Sequence, residues 1–328
     1  MDLKQLFAEQ IFTQVSDNLS ITKIKQLIEK PKLEDHGDLA FLNDIDLNIA
    51  NSIWLRDGLQ VKDEFKEANE IVFDSEVFER DFSDDTMNEI NGWVENETEG
   101  LIEKILNEPI PGNVQMYLIN AIYFKGEWSK QFKEERTEQR EFIVNNESIH
   151  LPMMQKEETV QYGEGDDYQL VEMEYAGGST SMYVVLPSEE TPLSSFIENL
   201  DHQNWKQMIN DTEEVEDLMI SMPKFDVEYG VKDISNDLKE LGMISAFNDA
   251  DFSGISNSGL RLNRVLHKAI IEVDEQGSEA AAVTAVEVEE SAKEIKSFNA
   301  NRPFLYAIVD NELDSILFMG TYYGDKKA

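Results

Sequence analysis

Residues 272–302 read EVDEQGSEAAAVTAVEVEESAKEIKSFNANR. They follow an apolar run, RVLHKAIIEV at 264–273, and change character at Gly277. Beyond that glycine the side chains alternate. Ser278, Ala280, Ala282, Thr284, Val286 and Val288 make one face, all small or β-branched. Glu279, Ala281, Val283, Ala285, Glu287 and Glu289 make the other, acidic or small. A period of two suits a strand half-buried in a sheet. Alanine and glutamate also favour helix, so an alanine-containing helix is a second reading. A third is a loop able to become a strand. Small residues just after a glycine would pass between neighbouring strands without steric cost, and no proline forfeits a ladder hydrogen bond before Pro303.

Working outward, the run RVLHKAIIEV predicts a central strand, as does VQMYLINAIYFKGEW at 114–128, ending at Lys125-Gly126. LNIANSIWL from Leu47 predicts a strand stopped by the turn pair Asp57-Gly58, followed by an amphipathic helix through Glu64–Ala68 and a strand over 77–82. A long helix is expected over 84–106, N-capped by Ser83, with Ile90, Trp93, Val94, Leu101 and Ile105 on one face. Strands are expected at 181–187 and 218–227, and helices near 194–209 and 231–242. Gly177-Gly178 reads as a hairpin turn, and FLYAIVD with SILFMGTYY as a C-terminal hairpin. Residues 1–30 read as helical and 31–45 as a connection. With no repeat or Pro/Gly linker, one mixed α+β domain over 1–328 is the economical organisation.

Composition narrows function. The chain has 328 residues, 67 acidic against 28 basic, and a formal charge of −39. Such a field repels phosphate backbones and anionic membrane surfaces, so neither nucleic acid nor membrane is an expected partner. Cysteine is absent, which rules out disulfides, thiol catalysis and zinc–thiolate sites. The four histidines, His36, His150, His202 and His267, show no ligand spacing, and no GxSxG elbow or Walker loop occurs. No metal or cofactor is expected. Carboxylate pairs are so frequent that none stands out, and a carboxylate-based hydrolase is only a distant alternative.

Seven segments together resemble the serpin family, in family order: LNIANSIWL, INGWVENETEGLIEKIL, LINAIYFKGEW, SMYVVLP, MPKFDVEY, HKAIIEVDEQGSEAAAVTA and FNANRPFLYAIVDNELDSILFMG. The hinge string GSEAAAVTA with FNANRPF and ILFMG is the specific part. The resemblance implies an α+β fold of three β-sheets with surrounding helices and an exposed reactive-centre loop at 277–300. It implies a monomeric suicide inhibitor of serine proteases, not an enzyme. The bait loop is cleaved, inserts into the main sheet as a new strand, and carries the acyl-enzyme with it. Serpin loop insertion is itself among the standard instances of strand addition.

Carried over by residue, the resemblance makes Gly277, Ser278, Glu279, Ala280, Ala281 and Ala282 the short-side-chain hinge, of the inhibitory type. The scissile bond falls at Glu290–Ser291 or Ser291–Ala292. Neither bond offers a trypsin-like pocket its Arg or Lys, so a subtilisin- or elastase-like protease is the expected partner, with a glutamate-specific one as the sharper alternative. Asn120 and His267 match the shutter pair beneath the sheet. Trp128 matches the aromatic at the breach where the loop first inserts. Lys224 and Glu275 match an ion pair above that gap. Residues 1–43 depart from the family's opening helices and strand, and the chain is several tens of residues short. Two readings stay open: a genuine start that lacks a core helix, or a truncated N-terminus. Missing N-terminal core elements would leave a non-inhibitory serpin-fold protein or a plain protease substrate as the alternative function. Family resemblance places the protein outside the cell; a genuine start at Met1, which brings no secretory signal, places it in the cytoplasm.

Overall fold

The computed structural model describes residues 45–73, 75–248, 250–276 and 296–324. The hinge residues from Gly277, the bond at 290–292 and residues 1–43 lie outside them.

The described strands form two hydrogen-bonded ladders. The first has five strands: β1 (Ile45–Arg56), β2 (Ser75–Arg80), β3 (Met116–Gly126), β9 (Phe225–Asp233) and β10 (Arg264–Val273), in the order β2-β1-β3-β10-β9. The second has eight: β4 (Glu138–Val144), β5 (Glu147–Glu164), β6 (Tyr168–Glu174), β7 (Thr180–Pro187), β8 (Glu213–Pro223), β11 (Ser297–Asn299), β12 (Phe304–Asp310) and β13 (Ser315–Tyr322). It runs β11-β8-β5-β6-β7-β12-β13, with β4 also on β5. The 18-residue β5 makes this ladder continuous, because it pairs β4 through its first half and β6 through its last residues.

Two compact units are made from separate stretches of chain. One takes Leu47–Phe124 and Val227–Ile271; the other takes Lys125–Asp226 and the chain from Glu272 onward. In the first unit β3 is buried on both faces, which is why its sequence is apolar without alternation. Met116 and Leu118 pack with Val265, α5 (Ser235–Glu240) and α6 (Ile244–Phe247). Tyr117, Ile119 and Ala121 pack with Trp54, Leu266 and α2 (Asp84–Glu97). The remaining helix among the described residues of this unit, α1 (Asp63–Phe73), covers the expected Glu64–Ala68. In the second unit one sheet face, with Leu170, Val185, Leu305 and Ala307, buries Phe196 and Trp205 from α3 (Leu193–Asn199) and α4 (His202–Asn210).

The expected hairpins at Gly177-Gly178, where both glycines have positive φ, and at β12–β13 are present. Three helix expectations change. Helix α2 stops at Glu97, not 106. Left-handed Glu99 and Gly100 end it, and Asn91 then ties down the following irregular chain by accepting from the Ile105 and Leu106 amides. Ile105 is buried there without being helical, while Leu101 is 37% exposed. Ser83 holds the cap position but makes no side-chain cap bond; Asp81 accepts from its amide instead. The helix expected over 231–242 keeps only Ser235–Glu240, because β9 runs on to Asp233. The one near 194–209 is two helices, since Asp201 caps a new start at 2.8 Å from Asn204 N. Lys224 likewise divides the expected strand at 218–227 into β8 and β9.

Gly320, the glycine of ILFMG, sits opposite Tyr306 across the β12–β13 ladder. A Cβ there would fall 2.5 Å from Tyr306 Cζ, and that ring is fully buried. Gly320→Ala should therefore destabilise the fold by about 1–3 kcal/mol, through forced repacking. A urea midpoint unchanged from the parent would contradict this.

Candidate functional site

Strands β3 and β10 are direct parallel neighbours through eight residue pairs, from Arg264↔Tyr117 to Ile271↔Phe124. His267 and Asn120 are one of those pairs. His267 Nδ1 lies 2.7 Å from Asn120 Oδ1, and Asn120 Nδ2 donates to Asn51 Oδ1 at 2.8 Å. All three side chains are buried. The chain of polar groups thus crosses β1, β3 and β10, pinning three adjacent strands together. The pairing of His267 with Asn120 was expected. Asn51 was not singled out, although an asparagine inside the apolar run LNIANSIWL was the signal available.

Burial pushes the His267 pKa down to about 4, from an ordinary value of 6.5. At neutral pH the imidazole is uncharged, and its Nδ1–H donates to Asn120 Oδ1. Between pH 6.5 and 4 the unfolded chain takes up a proton that the folded one refuses. Folding stability from this group is complete above the unfolded pKa and falls on acidification, by about 3 kcal/mol at pH 4. Parent protein should lose about that much more than His267→Gln over this range in urea melts. Parallel losses would show that the histidine is not the proton-linked group.

The second constellation lies in the other unit, at the base of the segment that leaves β10. Trp128 is buried, stacked on Tyr175 with centroids 4.6 Å apart, and its Nε1–H donates to Asp274 O at 2.9 Å. Phe132 N–H donates to Glu275 O at 2.9 Å. The Glu275 carboxylate receives Lys224 Nζ at 2.9 Å and Thr137 Oγ1 at 2.8 Å. Burial works to raise the Glu275 pKa, but these two donors outweigh it and hold the carboxyl below its usual range. Lys224 is 44% exposed, so the ion pair itself contributes no more than about 1 kcal/mol. Lys125 adds a contact to Asp274 Oδ2 at 3.1 Å, and Glu134 accepts from Gln276 Nε2. Phe132, Thr137 and Lys125 had no distinguishing signal in sequence. Their role depends on which chain end arrives beside them.

The described chain that follows 277–295 is anchored as well. Met219 N donates to Lys296 O, and β11 lies parallel to β8 with Phe298 fully buried. Arg302 Nε reaches Pro187 O at 2.8 Å. Both stems of 277–295 are thus held by backbone and side-chain bonds. No helix among the described residues is long and apolar enough to cross a membrane.

The family model described as "Serpin (serine protease inhibitor)" matches residues 5–324, reaching back ahead of the motifs quoted above. A serpin-like protein of Methanosarcina acetivorans is 36% identical over 289 residues, covering 85% of this chain and 68% of that protein. Neuroserpin from Mus musculus is 34% identical over 305 residues, covering 88% and 74%. Among solved structures, a thermophilic serpin, Tengpin, in the native state superposes with a TM-score of 0.75 at 30% identity, covering 93% of this chain and 77% of its own. Matched along nearly its whole length in sequence and in fold, the chain belongs to the serpin family.

Proposed function

We propose that this protein is a suicide inhibitor of serine proteases, with residues 277–300 as the bait. One observation carries the reading: β3 and β10 are paired directly, and the bait continues from the end of β10. The two strands run in the same direction. A segment leaving Val273 and turning back would run antiparallel to both. Insertion would exchange one slanted parallel ladder for two antiparallel ones, which pair slightly more strongly per residue. The small and β-branched face from Ser278 to Val288 suits such a buried strand. In the uncut protein, the Asn51–Asn120–His267 chain would keep the two strands together. Trp128, Lys224 and Glu275 would hold the hinge base. A protease that attacks Glu290–Ser291 or Ser291–Ala292 would be carried off on the cut end as its acyl-enzyme, before water releases it. The mechanism uses no cofactor or metal and one copy of the chain.

The test is to mix the protein with subtilisin- and elastase-like proteases and examine the products in SDS. An adduct of the summed masses is expected, and it should vanish when the protease serine is blocked beforehand. Cleavage at 290–292 with no adduct would make the protein a substrate only. Turnover of a small glycoside or ester would favour a carboxylate-based hydrolase.

A further inference from the structure

Lys156, on β5, is buried at 4% exposure, and nothing above uses it. Its ammonium meets Glu158 Oε2 at 2.6 Å and donates to Lys130 O at 2.8 Å. It lies 4.6 Å from the Phe132 ring centroid and 5.3 Å from that of Trp128. The two rings touch edge to face, with centroids 6.0 Å apart. Each of these residues donates one hydrogen bond to the loop's base, Trp128 to Asp274 O and Phe132 to Glu275 O. One cation therefore braces both donors that grip consecutive carbonyls at the foot of the bait.

An apolar side chain of similar length would fill this space without desolvating a charge. Burying the ion pair costs about as much as it returns, and the ammonium's pKa is correspondingly held below the ordinary lysine value by burial. What the cation adds is direction. It is attracted to the ring faces and bonded to one backbone carbonyl, so it fixes the rings against the 128–132 segment. Lys130 reinforces this by donating to Glu157 O at 2.6 Å, so that two lysines stitch the same turn to β5.

We propose that Lys156 is a positioning residue, locking Trp128 and Phe132 so that their donors hold the bait loop's base in its uninserted place. The inference rests on the inhibitory reading above.

The test uses full-length protein labelled with nitrogen-15 at Trp, Phe and Ile. It compares the parent with Lys156→Met/Glu158→Gln, which removes both charges together. Hydrogen exchange is followed at the Trp128 indole N–H, the Phe132 amide and the Ile308 amide in β12. The two clamp protons should exchange at least tenfold faster in the double variant while Ile308 is unchanged. Lys156→Arg with Glu158 intact should restore most of the protection. Unchanged clamp protons, or equal acceleration at Ile308 from general loosening, would overturn the proposal. The same samples are nicked in the bait and melted. If the parent shows no gain in Tm although its clamp responds as expected, the inhibitory reading fails and the clamp's packing role stands. A gain in Tm with an unresponsive clamp sinks the clamp alone.

Discussion

Nicking the bait once, within 290–292, should raise the thermal midpoint by about 6–12 °C. Most cuts in a folded protein lower it, so the sign is the informative part. The face formed by Ser278, Ala280, Ala282, Thr284, Val286 and Val288 carries eight methyl and methylene groups, each contributing about 0.8 kcal/mol when buried. That is about 6 kcal/mol. For a chain of this size, each kcal/mol moves the midpoint by roughly 1–2 °C. Backbone bonds in two new ladders offset the entropy of ordering the segment. The uncut protein would not reach this state easily, because the described chain on either side of 277–295 is anchored and β3–β10 is closed by eight pairs and the Asn120–His267 contact. Calorimetry before and after limited subtilisin digestion decides the point. An unmoved midpoint would leave the architecture intact and remove the mechanism.

Ala280→Pro tests the same step from the other side. Insertion would begin next to the hinge, where every residue's N–H must find a carbonyl on β3 or β10. Proline has none to give and is confined to sheet edges, so a central strand stalls there. An acceptor left without its donor costs about 1–3 kcal/mol, and each 1.4 kcal/mol slows the step about tenfold. Insertion then loses its race with hydrolysis of the acyl-enzyme. The yield of SDS-resistant adduct should fall about tenfold or more, while the bait is cut as fast as before. The parent's gain in melting temperature after nicking should shrink in parallel. If the variant traps protease as well as the parent, strand addition does not start at this hinge.

Much of the fold was legible in the chain itself. The largely apolar runs of β3 and β10, the Gly177-Gly178 turn and the C-terminal hairpin follow from local periodicity and turn chemistry. The helix expected over 84–106 was over-extended for the same reason. Ile105 keeps the helical spacing of its apolar neighbours, yet it is buried among Trp54, Ile90 and Val94 from irregular chain whose amide Asn91 holds. Periodicity reports that a residue is inside; it does not report which backbone carries it there. The site divides along the same line. His267 with Asn120, and Lys224 with Glu275, were placed through family motifs, whereas Asn51, Thr137, Phe132 and Lys156 were not found.

By itself, then, the sequence determined the main apolar strands, the net negative charge, the absence of thiol chemistry and the alternation of small and acidic side chains after Gly277. Only the tertiary structure decided that β3 and β10 lie side by side with no described strand between them. It alone decided that Asn120 bridges Asn51, 69 residues away, and His267, 147 residues away. Propensity and turn chemistry act over a few neighbouring residues, while those contacts depend on strand order, which is settled by how whole sheets bury their faces.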